Sequence, residues 1–414
     1  MPRPGGPLDR TNKRHRIRAG ESSQMSTKTP IIVVDAGIPG AAEGLATLGD
    51  VRAIGAEKFS ARSVADATVL VVRSVTRVDA SLLSSSSVRL VATATAGFDH
   101  VDRTWLRRHG IRFVSTPGAN AESVGDWVIA ALLRLSVRHR RALTGLTAGV
   151  VGCGQVGGRL VPRLEALGLQ VLANDPPKAR RVGSRRVYVS LDEVIERCDV
   201  LTLHVPLLST GPFRTRSLVD GRLLDRMQKD AWLLNSSRGP VMDEDALLER
   251  LRAGRGPSAL ALDVWLNEPR PDPELVSRAD LATAHIAGYA LDSKYNATRR
   301  VVRAVAAFLG QAVGIPAPLP VMPVIRSSAW AAPAPGEPGI EPALDRLVRA
   351  VYDIERDDRA LRDAVADSSP DMFEALRTGY PVRRLFARYP VEWTGGSPDF
   401  ERAVRYSLRM RPIR

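Results

Sequence analysis

The sequence lacks several features that would each point to a different class of protein. Its 414 residues contain two cysteines, Cys153 and Cys198, which excludes a disulfide framework or a cysteine metal cluster and favours a reducing, cytoplasmic location. No apolar run approaches the length of a membrane span, and the N-terminus lacks the apolar core of a secretory signal. A composition of 44% hydrophobic and 25% charged residues is instead typical of a globular chain with two or three domains.

The positive charge is unevenly distributed along the chain. Residues 1–30 are rich in Pro, Gly and Arg and carry a net +5 of the total +14. We predict that residues 1–29 form a disordered basic extension, which is either dispensable, with the true start at Met25, or a functional basic arm. For the rest of the chain we predict neither nucleic acid nor a membrane as a partner.

Short apolar runs alternate with helical stretches from residue 31 onward. The predicted strands are 31–34, 69–72, 90–95, 111–114, 169–174, 187–189, 200–205, 231–235, 259–264 and 281–284. A long amphipathic helix is predicted over 121–137, a capping box starts another at Ser190, and a third begins at Asp243. Repeated β-α units of this kind predict doubly wound parallel sheets with right-handed crossovers.

A glycine-rich turn, Gly152-x-Gly154-x-x-Gly157, links an apolar run to an amphipathic one. The first glycine permits a tight turn, the second lets backbone N–H groups approach a pyrophosphate, and the third lets the helix pack closely. Asp175, at the end of the next predicted strand, is placed to accept hydrogen bonds from a ribose 2′-OH, which favours NAD over NADP. Three basic residues that could accept a 2′-phosphate follow it: Lys178, Arg180 and Arg181.

Three charged or titratable residues, Arg238, Glu268 and His285, follow successive predicted strands. Taken singly, they could be a surface arginine, a loop carboxylate and a core histidine. Together they match what hydride transfer from a hydroxyl-bearing carbon requires: a cation for the substrate carboxylate, a base for the hydroxyl proton, and a carboxylate that orients and charges the imidazole. We therefore predict that they form a catalytic set at the carboxyl edge of the sheet.

These motifs resemble the D-2-hydroxyacid dehydrogenases, from the glycine fingerprint through Ser237-Arg238-Gly239, Asp263-Val264 and Glu268-Pro269 to His285. The resemblance implies a doubly wound, parallel-sheet NAD domain inserted in a smaller flavodoxin-like substrate domain, plus a C-terminal α+β domain that forms a homodimer. The implied bounds are 30–122 and 287–318 for the substrate domain, 123–286 for the NAD domain and 319–414 for the dimerisation domain. Further matching phrases at 72–76, 92–97, 99–102, 175–177, 285–289 and 351–353 imply a small phosphorylated hydroxy acid as the substrate.

The resemblance also implies a role for each matching residue. Arg238 would hold the substrate carboxylate, His285 would exchange the proton of the C2 hydroxyl, and Glu268 would support the imidazole. The residues implied to line NAD are Gly152, Gly154, Gln155, Val156, Gly157, Asp175, Val205, Ser236, Ser237, Arg238, Asp263 and Gly288. Those implied to contact the substrate are Ser74, Thr95 and Tyr289.

Charge and position add two candidates to that set. A distal phosphate needs cations, and Arg73 and Lys294 adjoin the implied substrate residues, so we predict that they bind the phosphate. Two departures from the family pattern affect the site. Ala284 replaces the usual Pro before the histidine, and Val205 replaces a Thr, which removes a side-chain hydrogen bond to NAD.

The C-terminal region begins with a proline-rich stretch over 315–342, which contains eight prolines and is predicted to be a linker. Helical spacing of apolar residues follows at 344–354. Aromatic residues then lie among arginines, and we predict that they are exposed at a subunit contact, with an independent minor core as the alternative. They are Tyr380, Phe386, Tyr389 and Trp393.

Two other functions remain open at this point. One is another D-2-hydroxyacid dehydrogenase, for example one that acts on 3-phosphoglycerate. The other is a non-catalytic protein that senses NAD(H) and binds a macromolecule, which the net charge would allow. The intact set of Arg238, Glu268 and His285 favours an enzyme.

Overall fold

The computed structural model describes residues 29–181, 186–327, 339–367, 371–393 and 397–413. Apart from residue 29, the predicted basic extension lies outside the described residues, as does the part of the predicted linker over 328–338. Within the described ranges, no helix has both the length and the apolar character needed to cross a bilayer.

The first sheet has five parallel strands in the order β2-β1-β3-β4-β5, which is the flavodoxin-like order. The strands are β1 Ile31–Asp35, β2 Asp50–Ile54, β3 Val69–Val72, β4 Leu90–Thr93 and β5 Arg112–Val114. The helices between them are α1 Ala41–Leu45, α2 Ala80–Leu83 and α3 Arg103–Arg108. Sequence patterns miss β2 because this edge strand is mostly exposed and lacks an apolar run.

The second sheet has six parallel strands in the order β11-β10-β9-β8-β6-β7. The strands are β6 Thr147–Val151, β7 Gln170–Asn174, β8 Val200–Leu203, β9 Trp232–Asn235, β10 Ala259–Leu262 and β11 Leu281–Ala282. The helices are α4 Ala121–His139, α5 Gly157–Ala166, α6 Pro176–Ala179, α7 Leu191–Arg197, α8 Gly221–Leu224, α9 Glu244–Arg252 and α10 Pro273–Arg278. Because β7 and β8 lie on opposite sides of β6, the strand order reverses at β6, where doubly wound sheets bind ligands.

A long helix, α11 Leu291–Leu309, returns the chain to the first sheet. Its buried residues Val301, Val302 and Val305 pack in one core with Ile32 of β1 and Val71 of β3. The core around the first sheet is therefore completed by a segment that follows the second sheet in sequence. The exact bounds of the substrate and NAD domains stay a prediction.

Among its described residues, the C-terminal module combines a small parallel sheet with four α-helices. Its strands, in the order β12-β13-β14, are β12 Ile325–Ser327, β13 Pro390–Trp393 and β14 Arg411–Pro412. Its helices are α12 Glu341–Arg349, α13 Ile354–Ala366, α14 Met372–Thr378 and α15 Pro398–Arg402, followed by a π-helical turn, Ala403–Ser407.

The predicted exposure of the C-terminal aromatics was wrong, and the alternative of an independent minor core also fails. Phe386 is fully buried, and Trp393 is partly buried and packs edge-on against Phe400 at 5.8 Å between ring centroids. The module also has no core of its own among its described residues, because Phe386 and Leu344 share one hydrophobic core with Trp127 of α4. The aromatics therefore attach the module to the helix that precedes the second sheet.

Two further predictions need correction. Residues 187–189 are a loop rather than a strand, and Val187 is 84% exposed, although Val189 donates one backbone hydrogen bond to Ala173. The proline-rich linker contains β12, which is held by parallel pairing with β13. The other predicted strands are confirmed, and four of them end two residues earlier than expected, because the last residues of each predicted run already belong to the turns.

Asp292, in the first turn of α11, forms buried polar contacts that hold the C-terminal module against the rest of the chain. Its side chain is buried and accepts two hydrogen bonds from Arg384, at 2.9 and 3.0 Å, one from Arg388 at 2.9 Å and one from the Leu385 N–H at 3.0 Å. Burial opposes ionisation of Asp292, but these donors and the two guanidinium charges outweigh it and lower its pKa.

We expect Asp292→Ala to destabilise the protein by about 3–5 kcal/mol, because it leaves a buried guanidinium without its partner. Urea unfolding followed by circular dichroism measures the change. The control is Glu392→Ala, which breaks the exposed Arg326–Glu392 pair and should cost no more than about 1 kcal/mol. Equal losses in the two variants would contradict the structural importance of Asp292.

Candidate active site

The glycine-rich turn directly follows β6 at the point where the strand order reverses. Gly152 has a φ of 87°, and a Cβ there would lie 2.7 Å from the carbonyl oxygen of His204. At Gly157, the first residue of α5, a Cβ would lie 2.1 Å from the carbonyl oxygen of Gly152. No described atom lies within 4 Å of a Cβ built at Gly154. The turn is thus closed by protein at two glycines and open at the third, as a bound pyrophosphate requires.

Asp175 lies at the end of β7 and is held above this turn. Its Oδ2 accepts the N–H of Cys153 and its Oδ1 accepts the N–H of Lys178, each at 3.0 Å. The Lys178 ammonium donates to the carbonyl of Cys153, and the Arg180 guanidinium lies 5.0 Å from the ring centroid of Phe213. Two of the three basic residues that follow Asp175 therefore already have contacts within the protein.

The other residues predicted to line NAD surround the same edge of the sheet. Gln155 packs against Gly118, Gly288 packs against Asn120, and Val205 contacts Gly152. Val156 caps α5, and the backbone N–H and hydroxyl of Ser237 both donate to the Asn235 side chain. The Ser236 hydroxyl is buried without a hydrogen-bond partner among the described residues. This unpaired hydroxyl and the open glycine turn fit a bound dinucleotide.

Glu268 and His285 meet at the carboxyl ends of the neighbouring strands β10 and β11. The imidazole Nδ1 lies 2.7 Å from Glu268 Oε2, and both side chains are mostly buried. Burial opposes ionisation of Glu268, but the His285 charge and the hydrogen bonds from His285 and the Trp265 N–H lower the pKa of Glu268. The structure therefore brings together two of the three predicted catalytic residues, with Nδ1 as the paired nitrogen.

The loop that carries His285 is held by Asp263, at the end of β10. This buried carboxylate accepts the hydroxyl of Thr283 at 2.6 Å and the N–H groups of Ile286 and Ala287 at 2.8 and 2.9 Å. His285 itself has a φ of 56°, in the left-handed region. Asp263, one of the residues predicted to line NAD, thus positions the loop of the histidine.

Arg238 follows β9, next to β10 in the sheet, and reaches toward the first sheet. Its Nε donates to Asp99 at 3.1 Å, and its Nη1 donates to the Ser237 carbonyl at 2.6 Å. A Cβ at Gly97 would lie 2.0 Å from Arg238 Nη2, so the guanidinium needs a glycine at that position. A Cβ at Gly239 would lie 2.0 Å from the backbone of Trp265, so the Arg238 turn packs on the loop that carries Glu268.

The residues predicted to contact the substrate fall into two groups, one that follows strands of the first sheet and one at the start of α11; the region between the two groups is called the cleft below. Ser74 is exposed after β3, and Thr95, after β4, donates to the Gly97 carbonyl at 2.8 Å. Arg73 donates to the buried Asp35 at 2.8 Å. On the other side, the Lys294 Nζ lies 4.6 Å from the ring centroid of Tyr289. Burial and the charges of Arg73, Arg383 and Arg377 lower the pKa of Lys294, so the predicted phosphate ligands are electrostatically coupled.

Sequence reasoning misses two arginines of the C-terminal module. Arg383 is buried and donates to the carbonyls of Ile286 and Ala287, at 3.0 and 2.6 Å, and to the Ser123 hydroxyl at 2.7 Å. Arg377, on α14, lies with its Cζ 5.7 Å from the Tyr289 ring centroid. Both lie far along the chain from the residues they contact, and no local sequence pattern distinguishes them from the other arginines.

Comparison with known proteins places this site in a family. The model of the D-isomer specific 2-hydroxyacid dehydrogenase NAD binding domain matches residues 121–287, and a model described as a domain of unknown function matches residues 334–402. Among solved structures, D-lactate dehydrogenase from Aquifex aeolicus, complexed with NAD and lactic acid, is 25% identical with a TM-score of 0.56. The matched region covers 68% of this chain and 95% of the D-lactate dehydrogenase chain. The TT0316 protein from Thermus thermophilus, 26% identical with a TM-score of 0.59, covers 70% of this chain and 99% of its own.

Two relatives extend the similarity over most of the chain. One from Salinibacter ruber is 44% identical over 387 residues, which is 92% of this chain and 98% of the relative. One from Klebsiella pneumoniae is 44% identical over 363 residues, which is 87% of this chain and 93% of the relative. The chain therefore belongs to the D-2-hydroxyacid dehydrogenase family, within the group formed by these relatives. Both relatives are named erythronate-4-phosphate dehydrogenase.

Glu244, the first residue of α9, is a buried carboxyl group that supports the Glu268 loop. It accepts the N–H of Leu266 at 2.7 Å. Burial, reinforced by the carboxylates of Asp272 and Glu268, raises its pKa to about 7 despite this hydrogen bond. The folded protein thus holds a proton that the unfolded chain releases at lower pH, so stability falls as pH rises from the ordinary carboxyl range to about 7.

We expect Glu244→Gln to remove this pH dependence while its amide oxygen still accepts the Leu266 N–H. The variant should match the wild type at pH 4.5 and exceed it by roughly 3 kcal/mol at pH 8, since one pKa unit corresponds to about 1.4 kcal/mol. Urea unfolding at both pH values measures the difference. Asp245→Asn, at an exposed neighbouring position, is the control. A stability difference that does not change with pH would contradict the assignment.

Proposed function

We propose that the protein oxidises 4-phospho-D-erythronate to 2-oxo-3-hydroxy-4-phosphobutanoate with NAD, a step of pyridoxal 5′-phosphate (vitamin B6) biosynthesis. The observation that carries the proposal is the His285–Glu268 pair, which lies on the same sheet edge as Arg238 and the open glycine turn. The names of the relatives that span most of the chain support the choice of substrate.

Each residue of the site has a task in this reaction. NAD, when bound, supplies the acceptor for the hydride that leaves C2 of the substrate. His285 takes the C2 hydroxyl proton through Nε2, because Nδ1 is held by Glu268. Glu268 stabilises the resulting imidazolium, and its lowered pKa keeps it ionised for that purpose. Electrons and protons balance, since a hydride and a proton leave the alcohol and a ketone remains.

The substrate anions determine the orientation of the acid. The Arg238 guanidinium binds the C1 carboxylate and polarises the C2 oxygen, at a position where it already spans the cleft to Asp99 and Gly97. Ser74, Thr95 and Tyr289 contact the rest of the substrate, including its one remaining hydroxyl group, on C3. Arg73 and Lys294 bind the phosphate, which accounts for two cations placed in one half-buried cleft.

The direct test is to combine the purified full-length protein with 4-phosphoerythronate and NAD and identify the products by mass spectrometry. A 2-oxo acid is included as an electron acceptor, so that slow release of NADH does not hide turnover. Formation of the 2-oxo acid from 4-phosphoerythronate supports the proposal. Turnover of 3-phosphoglycerate alone would instead support another dehydrogenase of the family.

We also propose a cytoplasmic homodimer that assembles through residues 319–414. Large apolar side chains are exposed on this module, namely Val321, Val382 and Tyr406, at 64%, 76% and 64%. A subunit interface that covered them would remove this apolar surface from water. Sedimentation of the full chain and of a Val382→Asp variant tests the assembly, since a charge in the interface should give monomers.

His285→Gln should lower kcat by roughly 10²–10⁴-fold, because it removes the group that accepts the hydroxyl proton. NAD binding, measured by protein fluorescence, should stay within about twofold of the wild type, since the histidine does not form the glycine turn. The matched control is His139→Gln. His139 also pairs with a carboxylate, Asp280, at 2.9 Å, and its side chain is exposed to a similar degree. A comparable loss of kcat in both variants would contradict the catalytic role.

Lys294→Met should raise KM for 4-phosphoerythronate by about 10–100-fold, since a charge-assisted hydrogen bond to the phosphate is lost. KM for unphosphorylated erythronate should change by no more than about twofold, because that acid never makes the contact. The control is Lys58→Met, at an exposed lysine beside the first sheet. Equal effects on both acids would reject Lys294 as a phosphate ligand.

A further inference from the structure

Arg377 brings a cation from the C-terminal module to the side of the cleft that holds Lys294. Its Cζ lies 5.7 Å from the ring centroid of Tyr289, and the Lys294 Nζ lies 4.6 Å from the same centroid. Tyr289 therefore has two cations from different modules as neighbours. Burial raises the pKa of Tyr289, against the charges of Arg377 and Arg73, so the phenol stays neutral beside them.

Burial opposes the charge of Arg377, but Tyr289, Glu374 and Glu268 outweigh it and raise the pKa of Arg377. Its hydrogen bonding is nevertheless incomplete among the described residues. Its Nη1 donates to Glu374 at 2.6 Å, but Glu374 is 46% exposed whereas Arg377 is 13% exposed. The Nε atom is buried and has no hydrogen-bond partner among the residues described. A buried donor without an acceptor is destabilising, so a ligand that supplies an acceptor oxygen to this guanidinium would be favoured.

Arg377 also acts electrostatically on the reaction centre. Its charge contributes to the lowered pKa of Glu268 and, with burial and the charges of Arg73 and Arg383, to the lowered pKa of Lys294. Like charges that are gathered in a half-buried cleft repel each other, and a bound dianion removes that repulsion.

The part of the chain that supplies Arg377 matches a family model of its own, over residues 334–402. The D-lactate dehydrogenase structure, which holds lactic acid, covers 95% of its own length but only 68% of this chain. Lactic acid has one carboxylate and no second anionic group, so its recognition needs no additional cation.

We propose that Arg377 is a specificity-determining residue that binds the substrate phosphate together with Lys294, so that the C-terminal module completes the substrate site. The proposal rests on the proposed function for the identity of the phosphorylated acid. It assigns a role in substrate recognition to a module whose other contacts hold the fold together.

The test compares Arg377→Met and Arg377→Lys in the full-length protein with 4-phosphoerythronate and unphosphorylated erythronate. Arg377→Met should raise KM for the phosphorylated acid about 10–100-fold and leave KM for erythronate within about twofold, while Arg377→Lys recovers part of the loss. The control is Arg359→Met, at an exposed arginine on α13 that pairs with Asp353. The comparison of the two acids within one variant does not depend on the fraction of folded protein.

Calorimetric binding of 4-phosphoerythronate in the presence of NADH separates this proposal from the proposed reaction. If Arg377→Met weakens binding and the wild type shows no turnover, the phosphate role stands and the reaction does not. If the wild type turns over and Arg377→Met behaves like Arg359→Met in both assays, the role of Arg377 is overturned. Absence of both binding and turnover in the wild type overturns both.

Discussion

The whole site depends on how the short loop after β11 is held between two opposite charges. His285 has a φ of 56°, a left-handed conformation that costs a residue with a side chain about 1–2 kcal/mol. Asp263 accepts the N–H groups of Ile286 and Ala287, and Arg383 donates to the carbonyls of the same two residues. The backbone polar groups of the loop are thus bound on both sides, and the imidazole is fixed where Glu268 can pair with it.

Because Arg383 belongs to the C-terminal module, that module is part of the architecture of the site. The next residue, Arg384, pairs with Asp292 at the start of α11, the helix that carries Lys294 and then packs on the first sheet. Two adjacent arginines therefore contact the histidine loop and the helix that leads to the other side of the cleft. A change in the position of this module would move both, which explains why so many buried polar contacts join it to the rest of the chain.

Structural features that depend on residues close together in the chain could be predicted from the sequence. The turn after β6, most of the buried strands, and the placement of Glu268 and His285 at strand ends follow from local apolar runs and glycine spacing. Contacts between segments that are far apart in the chain could not be predicted from the sequence. The core that buries Phe386 needs α4, more than 200 residues earlier, and the Arg383 contact with Ile286 spans 97 residues. The loop at 187–189 shows the opposite error, since its apolar run predicts a strand, whereas Val187 is exposed and only one backbone hydrogen bond, from Val189, reaches β7.

Part of the arginine content has a role inside the fold. Buried Arg163 and Arg384 are paired with the buried acids Asp126 and Asp292, so these cations join segments of the fold. Lys294 and Arg377, by contrast, share one half-buried cleft, and their charges disfavour each other. Such a pair of like charges is stabilised by a ligand with an anionic group beside Tyr289, and Arg238 offers a second cation for the carboxylate of the acid. The distribution of charge, rather than its total, therefore favours a small, doubly anionic acid.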